Sequence, residues 1–424
     1  MSEKIIVVGG GPAGLMAAIG AAEDGSDVTL LEKMASPGRK LRITGSGRCN
    51  FTNIAELPEF LKKFSDRGRF LKPAFYRFFN SELIDFFGKN KVPSKTERGG
   101  RVFPVSDSAN DIVYALVRCA KKNGVRIITG TAARKLIVKD NAVCGVEDAS
   151  GGVYKASAVI LATGGASYPA TGSTGDGYKM AVSVGHGLTK IHAALVPVET
   201  EGSIAKKLQG LSLKNVSVSV FIDGKKNAEE FGEMLFTHFG LSGPVILTLS
   251  RILVGGLDSG SKVEIAIDLK PALDHRKLDL RILRDFKTYG RKQMKTILKN
   301  LLPKRMIPVC LSLTRIRAEK TGEQVTAEER KRLRVWLKNF RFRVTGCRPL
   351  EEAIITSGGI PTKEINPQNM SSLIIKNLFF AGEIIDVDGE TGGYNLQAAF
   401  STGWVAGHSA ASPNRVFDFT SSIN

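Results

Sequence analysis

The stretch from Lys4 to Glu32, KIIVVGGGPAGLMAAIGAAEDGSDVTLLE, limits the possible folds more than any other. Ile5-Ile6-Val7-Val8 is a short β-branched run without polar alternation, the pattern of a strand buried on both faces of a parallel sheet. It runs into Gly9-Gly10-Gly11-Pro12-Ala13-Gly14, with glycines at the three fixed positions of G-x-G-x-x-G. A helix of small residues is expected from Ala13 to about Glu23. A second apolar strand, Val28-Thr29-Leu30-Leu31, then ends on Glu32, 18 residues past Gly14.

Each part has a physical role. Gly9 permits the sharp exit from the strand, and Gly11, without a Cβ, lets a pyrophosphate lie against the backbone. Gly14 lets the helix sit close to the sheet. The free N–H groups and positive end of that helix face the phosphates. Glu32 is an acceptor for ribose hydroxyls at the tip of the second strand. The same carboxylate repels a 2′-phosphate, which favours FAD or NAD over NADP.

Downstream, Ser36–Asn50 is rich in glycine and cations and reads as too irregular for a helix. It starts at the ribose position, so Arg39 and Lys40 are candidates for phosphate pairing. Residues 56–90 carry apolar side chains at helical spacing, and their phenylalanines are expected in the core. Ser108–Asn123 reads as a helix ended by Gly124, followed by the strand Val125-Arg126-Ile127-Ile128. Backbone groups around Ala133 are candidates to face an adenine. Leu136–Val146 and Gly151–Ala156 read as hairpin strands. Val159-Ile160-Leu161 is another buried strand, and it stops at Ala162-Thr163-Gly164-Gly165, where parallel sheets bind ligands.

From Ile191 the texture changes. Val216–Ile222 alternates and is followed by Asp223-Gly224, a hairpin signal. Ser242-Gly243-Pro244 reads as a helix start. The chain is therefore expected to contain a discontinuous nucleotide-binding domain, residues 1–191 and 345–424. The inserted domain, 192–344, would have a β-rich part (192–269) and a basic helical part (270–344).

The net charge of +19 over 424 residues is unevenly placed. Lys270–Arg343 holds 22 Lys and Arg against 7 Asp and Glu, a net of +15. Any argument about anionic partners concerns that segment. The five cysteines are scattered without C-x-x-C, which argues against a disulfide framework and against zinc, and the five histidines show no ligand spacing. No apolar run approaches a membrane span and no secretion signal opens the chain, so the expected location is the cytosol.

After Arg343 the opening texture returns. Leu378-Phe379-Phe380-Ala381 is a buried strand ending at Gly382-Glu383. Glu390-Thr391-Gly392-Gly393-Tyr394-Asn395-Leu396-Gln397 then starts a helix of small residues. The N-terminus of that helix suits the anionic pyrimidine side of a reduced flavin.

With these stretches in view, the chain resembles the BaiN-like family of bacterial FAD-dependent oxidoreductases, which includes aminoacetone oxidases and reductases linked to bile-acid metabolism. The resemblance rests on the opening glycine turn, Gly38-Arg39-Lys40 with Thr44–Asn53, Ala162–Gly165, Gly232–Pro244, Thr356-Ser357-Gly358-Gly359, and Ala381–Glu383 through Gly393–Gln397. It implies an α/β fold: a Rossmann-like, glutathione-reductase-like FAD domain of three layers (ββα) with an inserted β-barrel-like and helical domain.

For the cofactor, it implies non-covalent FAD. Taken with the residue reading, the expected contacts are Gly9, Gly11, Pro12, Ala13, Gly14, Glu32, Lys33, Arg39, Lys40, Ser46, Gly47, Ala133, Ala162, Thr163, Gly164, Gly382, Glu383, Gly393, Tyr394 and Asn395. No second G-x-G-x-x-G lies between the two halves, so NAD(P)H, if it is the reductant, visits only transiently. No metal is expected. Lys40, Arg48 and Tyr394 are the candidates for catalysis, while Cys49 and His238 read as a packed thiol and a turn histidine.

The expected function is hydride transfer through the flavin to or from a small organic substrate: amine oxidation, or reduction of an enone or ketone. The alternative is a flavoprotein that associates with RNA, or senses redox state, through its basic insert. Nucleic acid is the less favoured partner on sequence, because the charges lack interleaved stacking aromatics. No membrane partner is expected.

Overall fold

The computed structural model describes residues 2–64 and 67–412. The chain divides into two compact units, Met1–Ala193 with Ile354–Asn424, and Ala194–Ala353.

The first unit is built on a five-stranded parallel sheet. Its order is Leu378–Phe380, Ala158–Leu161, Lys4–Val8, Asp27–Glu32, Arg126–Thr129. The register sets Val8 beside Leu31 on one side and Leu161 on the other. All four residues of Ala158–Leu161 are buried, as expected for strands covered on both faces. One covering layer is helical: an opening helix Pro12–Glu23, a helix Ala109–Lys122 and a closing helix Tyr394–Ala411. The other is an antiparallel meander of Ala133–Lys139, Ala142–Asp148 and Val153–Lys155. Together these are the three layers expected.

The opening and closing helices meet through their smallest residues. A Cβ on Gly403 would lie 2.3 Å from the Ala13 carbonyl oxygen, and one on Gly407 would lie 2.2 Å from that of Ala17. Nearly the whole closing helix is buried, which explains its small side chains on every face. His408 Nδ1 sits 2.8 Å from an Asp24 carboxylate oxygen and ties the helix ends together. Phenylalanines from residues 56–90 fill the space beside this pair. Phe60 packs edge-on to Phe75, Phe79 and Tyr394, and Phe78 stacks on Trp404 at 5.6 Å. The stripe is core, distributed over three short helices, Leu57–Lys62, Gly68–Arg77 and Asn80–Lys89.

One local expectation is corrected. Ser36–Asn50 contains a one-turn helix, Arg39–Ile43, and a 3₁₀ segment, Thr44–Gly47. Gly38 at φ 72° reverses the chain, and Leu41 anchors the turn in the core. Gly45 and Ser46, both left-handed, then break it, so the glycines interrupt helical structure without preventing it.

The second unit contains a closed six-stranded barrel: Val198–Thr200, Gly240–Ser242, Lys225–Phe236, Ser212–Ile222, Val263–Asp268, Phe340–Cys347, and back to the first. Asp223 and Gly224 form the hairpin turn with φ of 49° and 80°, the twist that favours such turns. Phe236, Phe340 and Phe342 pack inside the barrel. Helices His275–Tyr289, Ile307–Thr314 and Ala327–Lys338 come between the fifth and sixth strands in chain order. Residue 344 thus lies inside the closing strand Phe340–Cys347, which sequence reading had placed at the end of the helical part. The strand alternates buried and exposed side chains, but its outward arginines blend into the basic helices before it.

Gly407→Ala is expected to lower the stability of the first unit by about 1–3 kcal/mol, because the Ala17 backbone cannot recede without moving the opening helix. Thermal unfolding of the apoprotein checks this. An unshifted melting temperature would mean the helices are less tightly apposed.

Candidate functional site

The opening turn separates two kinds of glycine. A Cβ on Gly9, whose φ is 108°, would lie 2.4 Å from the Ala162 carbonyl oxygen, and one on Gly14 would lie 1.8 Å from that of Gly9. These two serve packing. A Cβ on Gly11 would meet nothing within 4 Å. Open space therefore faces the backbone where the opening helix begins, since Leu15 N–H already donates to the Gly11 carbonyl at 2.9 Å.

Glu32 is buried at 9% exposure and doubly fastened. Its Oε2 accepts from Gly10 N–H at 2.8 Å, and its Oε1 from Met34 N–H at 2.7 Å. Each oxygen keeps acceptor capacity for a further hydroxyl. Thr131 N–H donates to the Glu32 backbone carbonyl at 3.0 Å, which ties the segment leading to Ala133 to the end of the strand Asp27–Glu32. Thr163 Oγ1 is buried without a hydrogen-bond partner among the described residues. Such a hydroxyl costs about 1–3 kcal/mol if left unsatisfied; it faces Gly177, where a Cβ would lie 2.0 Å from it. The cradle at Gly11 and the fastened carboxylate fit the dinucleotide FAD.

The Gly382 turn belongs to the same neighbourhood. A Cβ on Gly382, φ 77°, would lie 2.7 Å from the Ala13 Cβ, and its N–H donates to Thr402 Oγ1 at 2.9 Å. The turns after the strands Lys4–Val8, Ala158–Leu161 and Leu378–Phe380 thus converge at the carboxyl end of the sheet.

Not every expected residue is free to reach a ligand. Lys33 Nζ pairs with Asp176 at 2.6 Å and also meets Thr174. Lys40 Nζ lies 2.9 Å from Glu383 Oε2 and donates to Ser167 Oγ at 2.7 Å. Its charge is balanced within the protein. Arg39, in contrast, is exposed and has no ion-pair partner among the described residues. Ser46 is exposed, and Gly47 beside it has φ 86° with open space at its Cα.

The three candidates for catalysis are all engaged. Beyond the Lys40 pair, Arg48 is clamped between Glu97 and Asp107 over the Phe103 ring at 4.2 Å. Tyr394 is buried against Phe60, and burial pushes its phenol up. Asn395 braces the loop before the closing helix, accepting from Gly389 N–H at 2.7 Å and donating to its carbonyl at 2.8 Å. Gly393, φ 98°, admits the Thr52 carbonyl where a Cβ would lie 2.3 Å away.

Cys49 is fully buried, and burial pushes its thiol up to about 12. In the second unit, His238 stacks edge-on with Phe239 at 4.9 Å, and Arg348 lies over that same ring.

Two groupings escaped sequence reasoning. Thr356 N–H donates to Glu383 Oε1 at 2.8 Å, while its hydroxyl accepts from Ala166 and Ser167 N–H at 2.8 and 3.0 Å. With Lys40 and Ser167 this makes one polar network. Thr356 was visible only as part of a motif without a role. The second grouping is Arg67 beside the buried Asp386 and Asp388, at 2.7 and 3.1 Å. Two acids two residues apart in an otherwise apolar stretch were the available signal.

Comparison with known proteins adds the following. A family model described as HI0933-like protein Rossmann domain matches residues 3–409. The chain is 31% identical over 415 residues to the 3-dehydro-bile acid delta(4,6)-reductase of Clostridium scindens, covering 96% of this chain and 99% of that one. It is 30% identical over 400 residues to the ribosomal RNA dihydrouridine synthase of Escherichia coli, covering 94% and 96%. Among solved structures, the 3-ketosteroid-delta4-(5alpha)-dehydrogenase of Rhodococcus jostii aligns with a TM-score of 0.51 at 16% identity, covering 96% of this chain and 97% of that one. That likeness concerns the fold alone. Among the described residues no helix is long and apolar enough to cross a membrane.

Gly11→Ala is expected to leave the apoprotein melting temperature in place yet weaken FAD binding at least tenfold, while Gly14→Ala destabilises the fold itself. Equal behaviour of the two variants in melting and in flavin titration would contradict this division. Native Cys49 and Cys310, both raised to about 12 by burial, are expected to resist a thiol reagent at pH 8, where about one in 10⁴ is thiolate. Labelling of either before unfolding, read by peptide mass, would contradict their burial.

Proposed function

Because the chain belongs to the HI0933-like Rossmann family, the BaiN-like flavin-dependent oxidoreductases, we propose that it reduces a carbon–carbon double bond conjugated to a carbonyl group. One observation carries this: 31% and 30% identity, over nearly the full length, to a bile-acid reductase and to a dihydrouridine synthase. Dihydrouridine is uridine saturated at the ring double bond conjugated to its carbonyl. The two named activities therefore share one reaction type on different carriers. Amine oxidation, the other direction open on sequence, is named for neither relative.

In this reading Gly11 and Ala13 hold the pyrophosphate of FAD against the start of the opening helix, Gly14 keeps that helix close to the glycine turn, and Glu32 accepts from the ribose. Arg39, exposed and without an ion-pair partner among the described residues, is the cation available to a phosphate. Bound FAD supplies two-electron chemistry at its isoalloxazine. The N–H groups at Gly393–Asn395, held by the Asn395 brace, favour negative charge before the closing helix. Lys40, held by Glu383 and Ser167, positions the turns around the site rather than serving as a mobile acid. NAD(P)H is the proposed reductant.

A specific observation supports a second carrier. The net of +15 between Lys270 and Arg343 suits a polyanion better than a small uncharged enone, so a uracil ring within RNA is the second reading.

The test is anaerobic. NADH or NADPH is expected to bleach the flavin band near ~450 nm. A conjugated dienone steroid, cyclohexenone or uridine-containing RNA is then expected to restore it, yielding a product two hydrogens heavier by mass spectrometry. Bleaching by small amines alone, with no alkene consumed, would overturn the proposal.

A further inference from the structure

We infer that the helical part of the second unit carries a binding face for the phosphodiester backbone of RNA, centred on the acid-free segment Phe286–Ala318. This rests on the reductase reading only for its purpose; the face itself is argued from charge placement. Of the seven acids between Lys270 and Arg343, four are committed internally. Asp274 caps the helix His275–Tyr289. Asp279 holds Arg330 and Arg334, Asp285 holds Arg281, and Glu329 holds Lys320. The cations that pack the helices together are thus neutralised.

Phe286–Ala318 differs. It contains nine Lys and Arg and no Asp or Glu, and all nine are exposed. Among the described residues none of the nine has an ion-pair partner. Lys295 and Lys299 lie four residues apart in the helical run Met294–Asn300 and share a face, and Lys292 precedes that run by two residues. Upstream, Lys277 and Arg284, with the Asp285-paired Arg281, line an open groove of about 440 Å³ together with Leu273 and Leu280. Like charges left uncompensated within a Debye length of about 10 Å repel one another, and folding gains nothing from them. An external polyanion relieves that repulsion and releases counterions.

RNA is favoured over an anionic membrane surface. The exposed large apolar residues of the helical part are Leu280 and Leu283, neighbours on one helix, with Leu313 and Val335 on two others; none of them is the aromatic anchor that an interfacial helix carries.

The experiment uses the full FAD-loaded chain and fluorescein-labelled poly(U) RNA, with retention measured across a sodium chloride series. Wild type is expected to lose affinity linearly in log–log form. The triple variant Lys292→Gln, Lys295→Gln, Lys299→Gln is expected to bind about tenfold more weakly at low salt. Its slope should flatten by about 2, at roughly 0.7 per phosphate contact on single strands. FAD content and reduction of cyclohexenone should stay at wild-type values. A control triple with the same charge change in the first unit, Lys89→Gln, Lys121→Gln, Lys122→Gln, should retain wild-type RNA binding.

A wild-type slope in the first triple, equal weakening in the control, no RNA retention by wild type, or binding only to vesicles of anionic phospholipid would each overturn the inference. Enone reduction without RNA retention removes this face and leaves the reductase reading standing. RNA held through these lysines with no alkene reduced does the reverse.

Discussion

The first unit depends on one close approach, the backbone-to-backbone contact of its opening and closing helices. Gly403 and Gly407 admit the carbonyls of Ala13 and Ala17, at distances no side chain could share. The contact joins segments almost 400 residues apart. It also fixes what precedes each helix. Gly382 abuts Ala13, so the turn after the strand Leu378–Phe380 reaches the glycine loop after Lys4–Val8. The turns proposed to hold one FAD are brought together by packing that has no chemistry of its own.

Polar residues around that junction mostly lock it. Glu32 ties the first turn to the second strand, and Glu383 gathers Lys40, Ser167 and Thr356 from three other stretches. Hydrogen bonds of this kind contribute about 1 kcal/mol each when partners are matched, and removing one partner costs more than the bond contributes. The arrangement explains why few side chains are left to act as acids or bases. What the proposed site has left for a flavin is mainly fixed backbone N–H groups and Arg39, which has no ion-pair partner among the described residues. In the second unit Arg281, Lys320, Arg330 and Arg334 are paired with acids, while the outward cations of Phe286–Ala318 have no ion-pair partner among the described residues.

Much of this was legible in the residues. The parallel strands showed as unbroken β-branched runs, and the roles of Gly9 and Gly14 followed from their spacing. The family and the fold class were legible too. Other features could not be read, because they depend on contacts distant in sequence. Nothing local to Lys40 or Arg48 says that Glu383 or Glu97 and Asp107 will claim them. A carboxylate 343 residues away decides whether a lysine is available. The return of Phe340–Cys347 to close the barrel was hidden for a related reason. Its outward positions are arginine and threonine, which continue the charge pattern of the helix before it.

The central claim is that turns from widely separated parts of the chain form a single cradle for one FAD. Amide hydrogen exchange with and without FAD tests it most directly. The account predicts that added FAD slows exchange together in residues 9–15, 162–165, 382–384 and 393–397, with one shared dependence on FAD concentration. Protection confined to residues 9–15, with the later segments unchanged at saturation, would contradict it.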